Sequence, residues 1–149
     1  MGTMKILIAD DEPDVLAVMA RQVASQGYAV VTAQDGQEAW EKIQSESPDI
    51  ILLDLNMPKL HGFDVLRALR EHPPLDKWQP VIIISTRSEL EDVKQGISLE
   101  AEHYLIKPCT IEDILKAIKI IAKLIAHHKT PRELGLDNIS TAEREKDRL

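Results

Sequence analysis

The feature that most constrains this chain is a run of four large aliphatic residues, 50–53, that ends in Asp54. Because polar residues do not alternate with these aliphatic ones, neither face of the segment suits contact with water. The pattern favours a central strand of a parallel sheet covered by helices on both faces. Asp54 then lies at the carboxyl end of that strand, the edge where ligands bind in open α/β sheets.

A second buried strand is predicted over residues 5–9, and it ends in the acidic residues Asp10, Asp11 and Glu12. If the two strands are neighbours, their ends bring three acidic groups into one pocket. Two unit charges about 4 Å apart repel by about 4 kcal/mol at an effective dielectric of about 20, so this pocket needs a proton or a cation. Mg²⁺ takes one or two carboxylates, keeps several waters and accepts phosphate oxygens. The two strand ends therefore predict a magnesium site that invites a phosphoryl group.

The rest of the chain alternates between strand and helix patterns. Further strands are predicted over residues 28–33, 81–84 and 104–106. Pro13 suits the first turn of a helix that Gly27 ends, and Ser88 with Glu91 predicts a capping box for a helix that runs to about residue 99. Five strand–helix repeats predict an α/β fold, in which a doubly wound, five-stranded parallel sheet carries helices on both faces.

The last predicted helix has more apolar residues than one core-facing stripe requires. Thr110 with Asp113 indicates a variant capping box at its start. The core-facing stripe consists of Ile111, Ile114, Leu115, Ile118, Ile121 and Ile125. Ala117, Ile120 and Leu124 recur beside it at helical spacing and predict apolar surface that could be buried against a partner.

Composition narrows the classes of protein that fit. A chain of 149 residues, with 44% hydrophobic and 29% charged residues, suits one globular domain with a short appendage. A net charge of −7 argues against direct nucleic-acid binding, which needs clustered Lys and Arg. No apolar stretch reaches the length of a membrane span, and no signal peptide is evident, so we expect a cytoplasmic protein without a membrane partner. The single Cys109 agrees with a reducing compartment.

Polar residues follow the predicted strands at one edge of the sheet. They are Asp10, Asp11, Asp54, Ser85, Thr86 and Lys107. With Met57-Pro58, Gly62 and the segment 104–108, they make the chain resemble a response-regulator receiver domain, the phosphoacceptor module of two-component signalling. The resemblance covers residues 4–127 and leaves 128–149 as a C-terminal linker or the start of a truncated output region. It implies a flavodoxin-like fold with strand order 2-1-3-4-5.

The resemblance also implies which residues hold the metal and accept the phosphoryl group. Asp54 would accept it from the phosphohistidine of a sensor histidine kinase or a histidine phosphotransfer protein. Mg²⁺ would be held by Asp10, Asp11, Asp54 and the backbone carbonyl of Asn56. Such a domain is a signalling phosphoacceptor that assists its own phosphorylation and dephosphorylation, and it is not otherwise an enzyme. Phosphoryl transfer needs positioning and charge neutralisation above all, which metal and lysine can supply.

Three further residues have roles implied by the same resemblance. Lys107 would contact a phosphoryl oxygen, and Ser85 would donate a hydrogen bond to the phosphoryl group. Tyr104 would change rotamer in response to the movement of Ser85. Phosphorylation is also expected to promote a homodimer through the surface of the helix that starts at Ser88, the last strand and the last helix. The sequence departs from the family pattern at Thr86, which is larger than usual.

Other classes stay open on the sequence alone. A pseudo-receiver would keep these residues and act only as an interaction module. A phosphohydrolase of the haloacid-dehalogenase type places its nucleophile after the first strand and has a second Asp two residues later. Two residues after Asp54, this chain has Asn56. An FMN carrier would need a hydroxyl-rich loop after the first strand, and the acidic residues 10–12 would repel a phosphate there.

Overall fold

The computed structural model describes residues 3–86 and 101–135, which form five strands and four helices. The strands are β1 (Lys5–Ala9), β2 (Ala29–Ala33), β3 (Ile50–Asp54), β4 (Val81–Thr86) and β5 (His103–Lys107). The helices are α1 (Pro13–Ala24), α2 (Gly36–Glu46), α3 (Gly62–Glu71) and α4 (Ile111–Ile125). The helix predicted to start at Ser88 lies outside the described residues. None of the described helices is long and apolar enough to cross a membrane.

The strands form one parallel sheet in the order β2-β1-β3-β4-β5, which confirms the predicted order. All residues of β3 are buried, as expected of a central strand that meets water on neither face. In the register of β1 and β3, Ala9 lies beside Leu53, so Asp10 and Asp54 come level with each other. In the register of β3 and β4, Asp54 lies beside Ile84, so Ser85 lies one residue further along.

Helices cover both faces of the sheet, as predicted. Alternate residues of β1 divide between two cores: Ile6 and Ile8 pack with α1 and α4, whereas Leu7 packs with α2 and α3. The buried residues of α1 recur at helical spacing, and they are Leu16, Met19 and Val23. The doubly wound architecture thus follows from strands that are apolar on both sides.

The helix starts agree with the capping signals in the sequence. Asp35 precedes α2, and its side chain accepts a hydrogen bond from the Glu38 backbone N–H at 2.7 Å. At the start of α4, the Thr110 side chain accepts from the Asp113 N–H and the Asp113 carboxylate accepts from the Thr110 N–H. The predicted capping box is therefore present.

The outer side of α4 is only partly as predicted. Ile120 and Leu124 are exposed, at 57% and 49% of their surface. Ala117 is buried, because it belongs to the core that α4 shares with α1. The second apolar stripe is therefore reduced to two large side chains.

A buried ion pair lies at the amino-terminal edge of the sheet, opposite the acidic residues. Arg70 Nη2 donates to both carboxylate oxygens of Glu102, at 2.8 and 3.0 Å, and Glu102 also accepts from the Val81 N–H. Arg70 Nη1 donates to the Gln79 carbonyl at 3.2 Å, and Gln79 Nε2 donates to the Pro48 carbonyl at 2.9 Å. This network joins α3 to the starts of β3, β4 and β5.

Candidate functional site

Three carboxylates meet at the carboxyl-terminal edge of the sheet, where β1 and β3 end. Oxygen atoms of Asp10, Asp11 and Asp54 all lie within 4.8 Å of one another. Asp10 and Asp54 are buried, at 1% and 6% exposure, whereas Asp11 is exposed to solvent. The register of two adjacent parallel strands is what brings Asp10 and Asp54 together.

Each buried carboxylate is held by a backbone N–H two residues further along the chain. Asp10 Oδ1 accepts from the Glu12 N–H at 2.9 Å, and Asp54 Oδ1 accepts from the Asn56 N–H at 3.2 Å. Aspartate side chains commonly form such local turns with their own backbone. The other oxygen of each carboxylate faces Lys107.

Among the described residues, Lys107 alone forms ion pairs with this cluster. Its Nζ lies 3.2 Å from Asp54 Oδ2 and 3.6 Å from Asp10 Oδ2. Burial opposes the charge on Lys107, but attraction to Asp54 and then to Asp10 outweighs burial and raises the pKa of the ammonium. Three carboxylates against one ammonium leave the cluster short of positive charge.

Burial has the largest influence on the pKa of the Asp54 carboxyl group and raises it above the ordinary value. The charge of Lys107 and the N–H of Asn56 act in the opposite direction, while the charge of Asp10 adds to the rise. Removing a carboxylate from water disfavours its charged form unless a cation compensates. The ionised pocket therefore gains from a bound cation.

The donor set fits Mg²⁺. Hard divalent cations prefer oxygen ligands, and Mg²⁺ usually binds one or two carboxylates together with waters and phosphate oxygens. Asp10, Asp11 and Asp54 offer carboxylate oxygens close enough to share one ion. The exposure of Asp11 keeps one side of the cluster open to water or a phosphoryl group.

A buried hydroxyl group lies on β4, next to the strand that ends in Asp54. Ser85 is fully buried in β4, and its Oγ has no hydrogen-bond partner within the described part of the chain. Buried polar atoms of this kind are rare and call for an explanation. Thr86 and Tyr104 are half-buried, and Tyr104 packs against the core beneath α2 and α3. Lys107 is the last residue of β5 and lies beside Thr86.

The loop after β3 is held by the start of α2, a contact that the sequence reasoning missed. The Gly36 N–H donates to the Pro58 carbonyl at 3.2 Å. A Cβ at Gly36 would lie only 1.7 Å from the Leu60 carbonyl oxygen, so no larger residue fits without moving the loop. This loop includes Asn56, two residues beyond Asp54. In the sequence, the pair Asp35-Gly36 indicates a turn into a helix and gives no sign of this contact.

Comparison with known proteins identifies the family. The family model for the response regulator receiver domain matches residues 6–119. The chain belongs to this family. Its members are signalling domains of two-component systems, and the acidic cluster of this receiver domain suits a phosphoacceptor.

Curated relatives agree with the family. The receiver domain is 37% identical over 119 residues to the transcriptional regulatory protein PrrA of Mycobacterium tuberculosis, covering 80% of this chain and 50% of PrrA. It is 34% identical to the alkaline phosphatase synthesis transcriptional regulatory protein PhoP of Bacillus subtilis, covering 80% of this chain and 48% of PhoP. The chain thus spans about half the length of these relatives.

Solved structures also agree in fold. The chemotaxis response regulator CheY4 of Vibrio cholerae aligns with a TM-score of 0.74 and 30% identity, covering 80% of this chain and 99% of CheY4. The receiver domain of the Francisella response regulator 1452 aligns with a TM-score of 0.73 and 30% identity, covering 81% of this chain and 98% of that domain. The flavodoxin-like receiver fold expected from the sequence is confirmed.

Proposed function

We propose that this receiver domain accepts a phosphoryl group on Asp54 from the phosphohistidine of a sensor histidine kinase or a histidine phosphotransfer protein. The supporting observation is the position of Asp54 within the sheet. Its strand, β3, lies between β1, which leads to Asp10, and β4, which carries Ser85. Asp54 is therefore flanked by the carboxylates suited to a metal on one side and by the unpaired hydroxyl on the other, with Lys107 at 3.2 Å.

Each group has a chemical role in this proposal. A carboxylate oxygen of Asp54 bonds to phosphorus while the phosphorus–nitrogen bond of the donor breaks, and the imidazole leaves with the electron pair. Lys107 and the Ser85 hydroxyl donate to phosphoryl oxygens as negative charge shifts onto them. Mg²⁺ would be held by Asp10, Asp11, Asp54 and the Asn56 carbonyl, and it would supply positive charge to neutralise the phosphoryl group. The same groups assist hydrolysis when water attacks the aspartyl phosphate.

Further proposals concern the extent of the domain, its switch residues and a homodimer. Residues 4–127 act as the phosphoacceptor unit in the cytoplasm, and 128–149 form a C-terminal linker or the start of an output region. Phosphorylation alters the Ser85 and Tyr104 side chains, and with them a homodimer surface on β5 and α4. The exposed Ile120 and Leu124 support that surface, because large apolar side chains in solvent favour burial against a partner. The helix predicted to start at Ser88, the third element of this surface, lies outside the described residues.

The test is to map the modification. The full chain is incubated with acetyl phosphate, with Mg²⁺ or with EDTA, and analysed by intact mass spectrometry and peptide mapping. We expect one phosphoryl group on wild type with Mg²⁺, and none on Asp54→Asn. Asp14→Asn, which alters an exposed carboxylate in the first turn of α1, is the matched control and should behave as wild type. A modification that persists in Asp54→Asn would contradict the assignment. Failure of wild type to react would favour a pseudo-receiver.

A further inference from the structure

We propose that residues 126–135 form a latch, which docks on the loop between α3 and β4 and fixes where the chain leaves the domain. The latch and the loop, residues 72–80, meet at the amino-terminal edge of the sheet, opposite the acidic cluster. This inference is independent of phosphorylation at Asp54. It moves the end of the folded unit from residue 127, the boundary expected from the sequence, to Gly135.

The main contact is an aromatic stack. The rings of Trp78 and His128 lie face to face, with centroids 3.7 Å apart and planes only 7° from parallel. His128 Nδ1 lies 2.8 Å from the Lys129 carbonyl oxygen, so Nδ1 carries the hydrogen and donates it. That bond orients the imidazole, and the stack covers one face of an indole that the loop would otherwise leave in solvent.

A second set of contacts fixes the register of the latch on the loop. The Arg132 N–H donates to the Leu75 carbonyl at 2.9 Å. Arg132 Nε also lies 3.0 Å from Asp76 Oδ1, although both side chains are largely exposed. Exposed ion pairs contribute little, so the backbone bond and the stack carry most of the attachment.

The latch has its own internal structure. The Thr130 N–H donates to Glu133 Oε2 at 2.8 Å, and the Glu133 N–H donates to Thr130 Oγ1 at 3.2 Å, which is a reciprocal capping box. Pro131, which lies between these two residues in the sequence, is buried. Gly135 ends the turn with a φ of +80°. A segment ordered by its own hydrogen bonds loses less conformational freedom when it docks.

The loop that receives the latch is fixed from its other side. Lys77 Nζ lies 3.0 Å from Asp49 Oδ1 and donates to the Ser47 carbonyl at 2.7 Å, which ties the loop to the residues before β3. Gln79 makes a further bond to the same region. The latch therefore docks on a fixed platform, and the direction of the outgoing chain is set at an edge remote from Lys107 and Ser85.

Trp78 offers a direct test in the full chain. In a Trp40→Phe background, Trp78 is the only tryptophan, and its accessibility is measured by acrylamide quenching. We expect His128→Ala to raise the quenching constant about twofold, because the stack no longer shields the ring. His127→Ala is the matched control. His127 adjoins His128 in sequence, but its own imidazole is exposed and forms no ring stack among the described residues. Equal quenching in parent and His128→Ala would overturn the proposal.

Two further measurements keep the proposal testable if quenching is hard to interpret. The Arg132 amide should be protected from hydrogen exchange in the parent and should exchange about tenfold faster in His128→Ala. Spin labels on Lys119→Cys and Leu134→Cys, with Cys109→Ser, should give a narrow distance distribution that broadens in His128→Ala. An unprotected amide or a broad parent distribution would each refute the latch. Phosphorylation of Asp54 should be the same in all these variants, which separates this test from that of the proposed function.

Discussion

The two edges of the sheet both bury charged groups, but they do so in opposite ways. At the amino-terminal edge, Arg70 meets one carboxylate, and both oxygens of Glu102 are engaged. At the carboxyl-terminal edge, the described residues set three carboxylates against one ammonium and leave the Ser85 hydroxyl unpaired. The first edge is satisfied internally and joins elements of the fold. The described residues leave the second edge with excess negative charge, so the balance of charge, and not burial, distinguishes the two edges.

The largest effect on stability is expected from removing the Arg70–Glu102 ion pair at the amino-terminal edge. Arg70→Ala should lower the free energy of unfolding by about 3 kcal/mol, because it leaves the mostly buried Glu102 without its partner. Arg67→Ala, one turn earlier in α3, removes an exposed pair with Asp64 and should cost less than about 1 kcal/mol. Urea unfolding measures both. Similar losses in the two variants would show that the buried pair has no special structural role.

A smaller effect on stability is expected where α2 supports the loop after β3, at the carboxyl-terminal edge of the sheet. Gly36→Ala should cost about 1–3 kcal/mol, since the added Cβ collides with the Leu60 backbone. It should also weaken Mg²⁺ binding, because the displaced loop carries Asn56. Gly27→Ala is the control: its φ of +95° also disfavours a side chain, but open space surrounds it. We expect Gly27→Ala to lower the melting temperature and leave Mg²⁺ affinity unchanged; a Gly36→Ala protein with wild-type affinity would contradict the supporting role.

Local sequence patterns were sufficient for most of the fold. Apolar runs located β1 and β3, and the Thr110 and Asp113 signal located the start of α4. Strand ends also nominated the residues of the acidic cluster, because parallel strands end at one edge. The Arg70–Glu102 pair could not be foreseen, since its partners are 32 residues apart and such residues are usually exposed. Ala117 was misjudged because its burial depends on how α4 sits against the sheet and α1.

Asp54, at the carboxyl-terminal edge, should make the free energy of unfolding depend on pH. Burial raises the pKa of Asp54 in the folded state, so ionised Asp54 disfavours folding, and this cost grows as the pH rises through the raised pKa. In EDTA, Asp54→Asn should therefore be more stable than wild type at neutral pH, and the difference should fade as the pH falls towards the ordinary pKa of a carboxyl group. Thermal unfolding across this range provides the measurement. A wild type that gains stability relative to Asp54→Asn as the pH rises would show that Lys107 already compensates the charge.

The smallest effect on stability is expected at Lys107, the one ammonium that the described residues bring to the pocket. In saturating Mg²⁺, Lys107→Ala should change the free energy of unfolding by less than about 1 kcal/mol, because a cation held by Asp10 and Asp54 would then compensate the charge that Lys107 balances. Phosphorylation should nevertheless slow markedly, since the phosphoryl oxygens lose a donor. Lys42→Ala, which removes a surface pair with Glu38, is the control and should leave phosphorylation unchanged. A large loss of stability with normal phosphorylation would make Lys107 a structural residue.

The most direct test of the difference between the edges is calorimetric titration of the full chain with Mg²⁺ at neutral pH. The account predicts one saturable site in wild type, weakened by about tenfold or more in Asp54→Asn and in Asp10→Asn, because each removes a carboxylate that the cation would use. Asp64→Asn, which removes an exposed carboxylate of α3, should bind as wild type does. Absence of binding by wild type, or equal affinity in Asp54→Asn, would contradict the claim that the carboxyl-terminal edge is built to hold a cation.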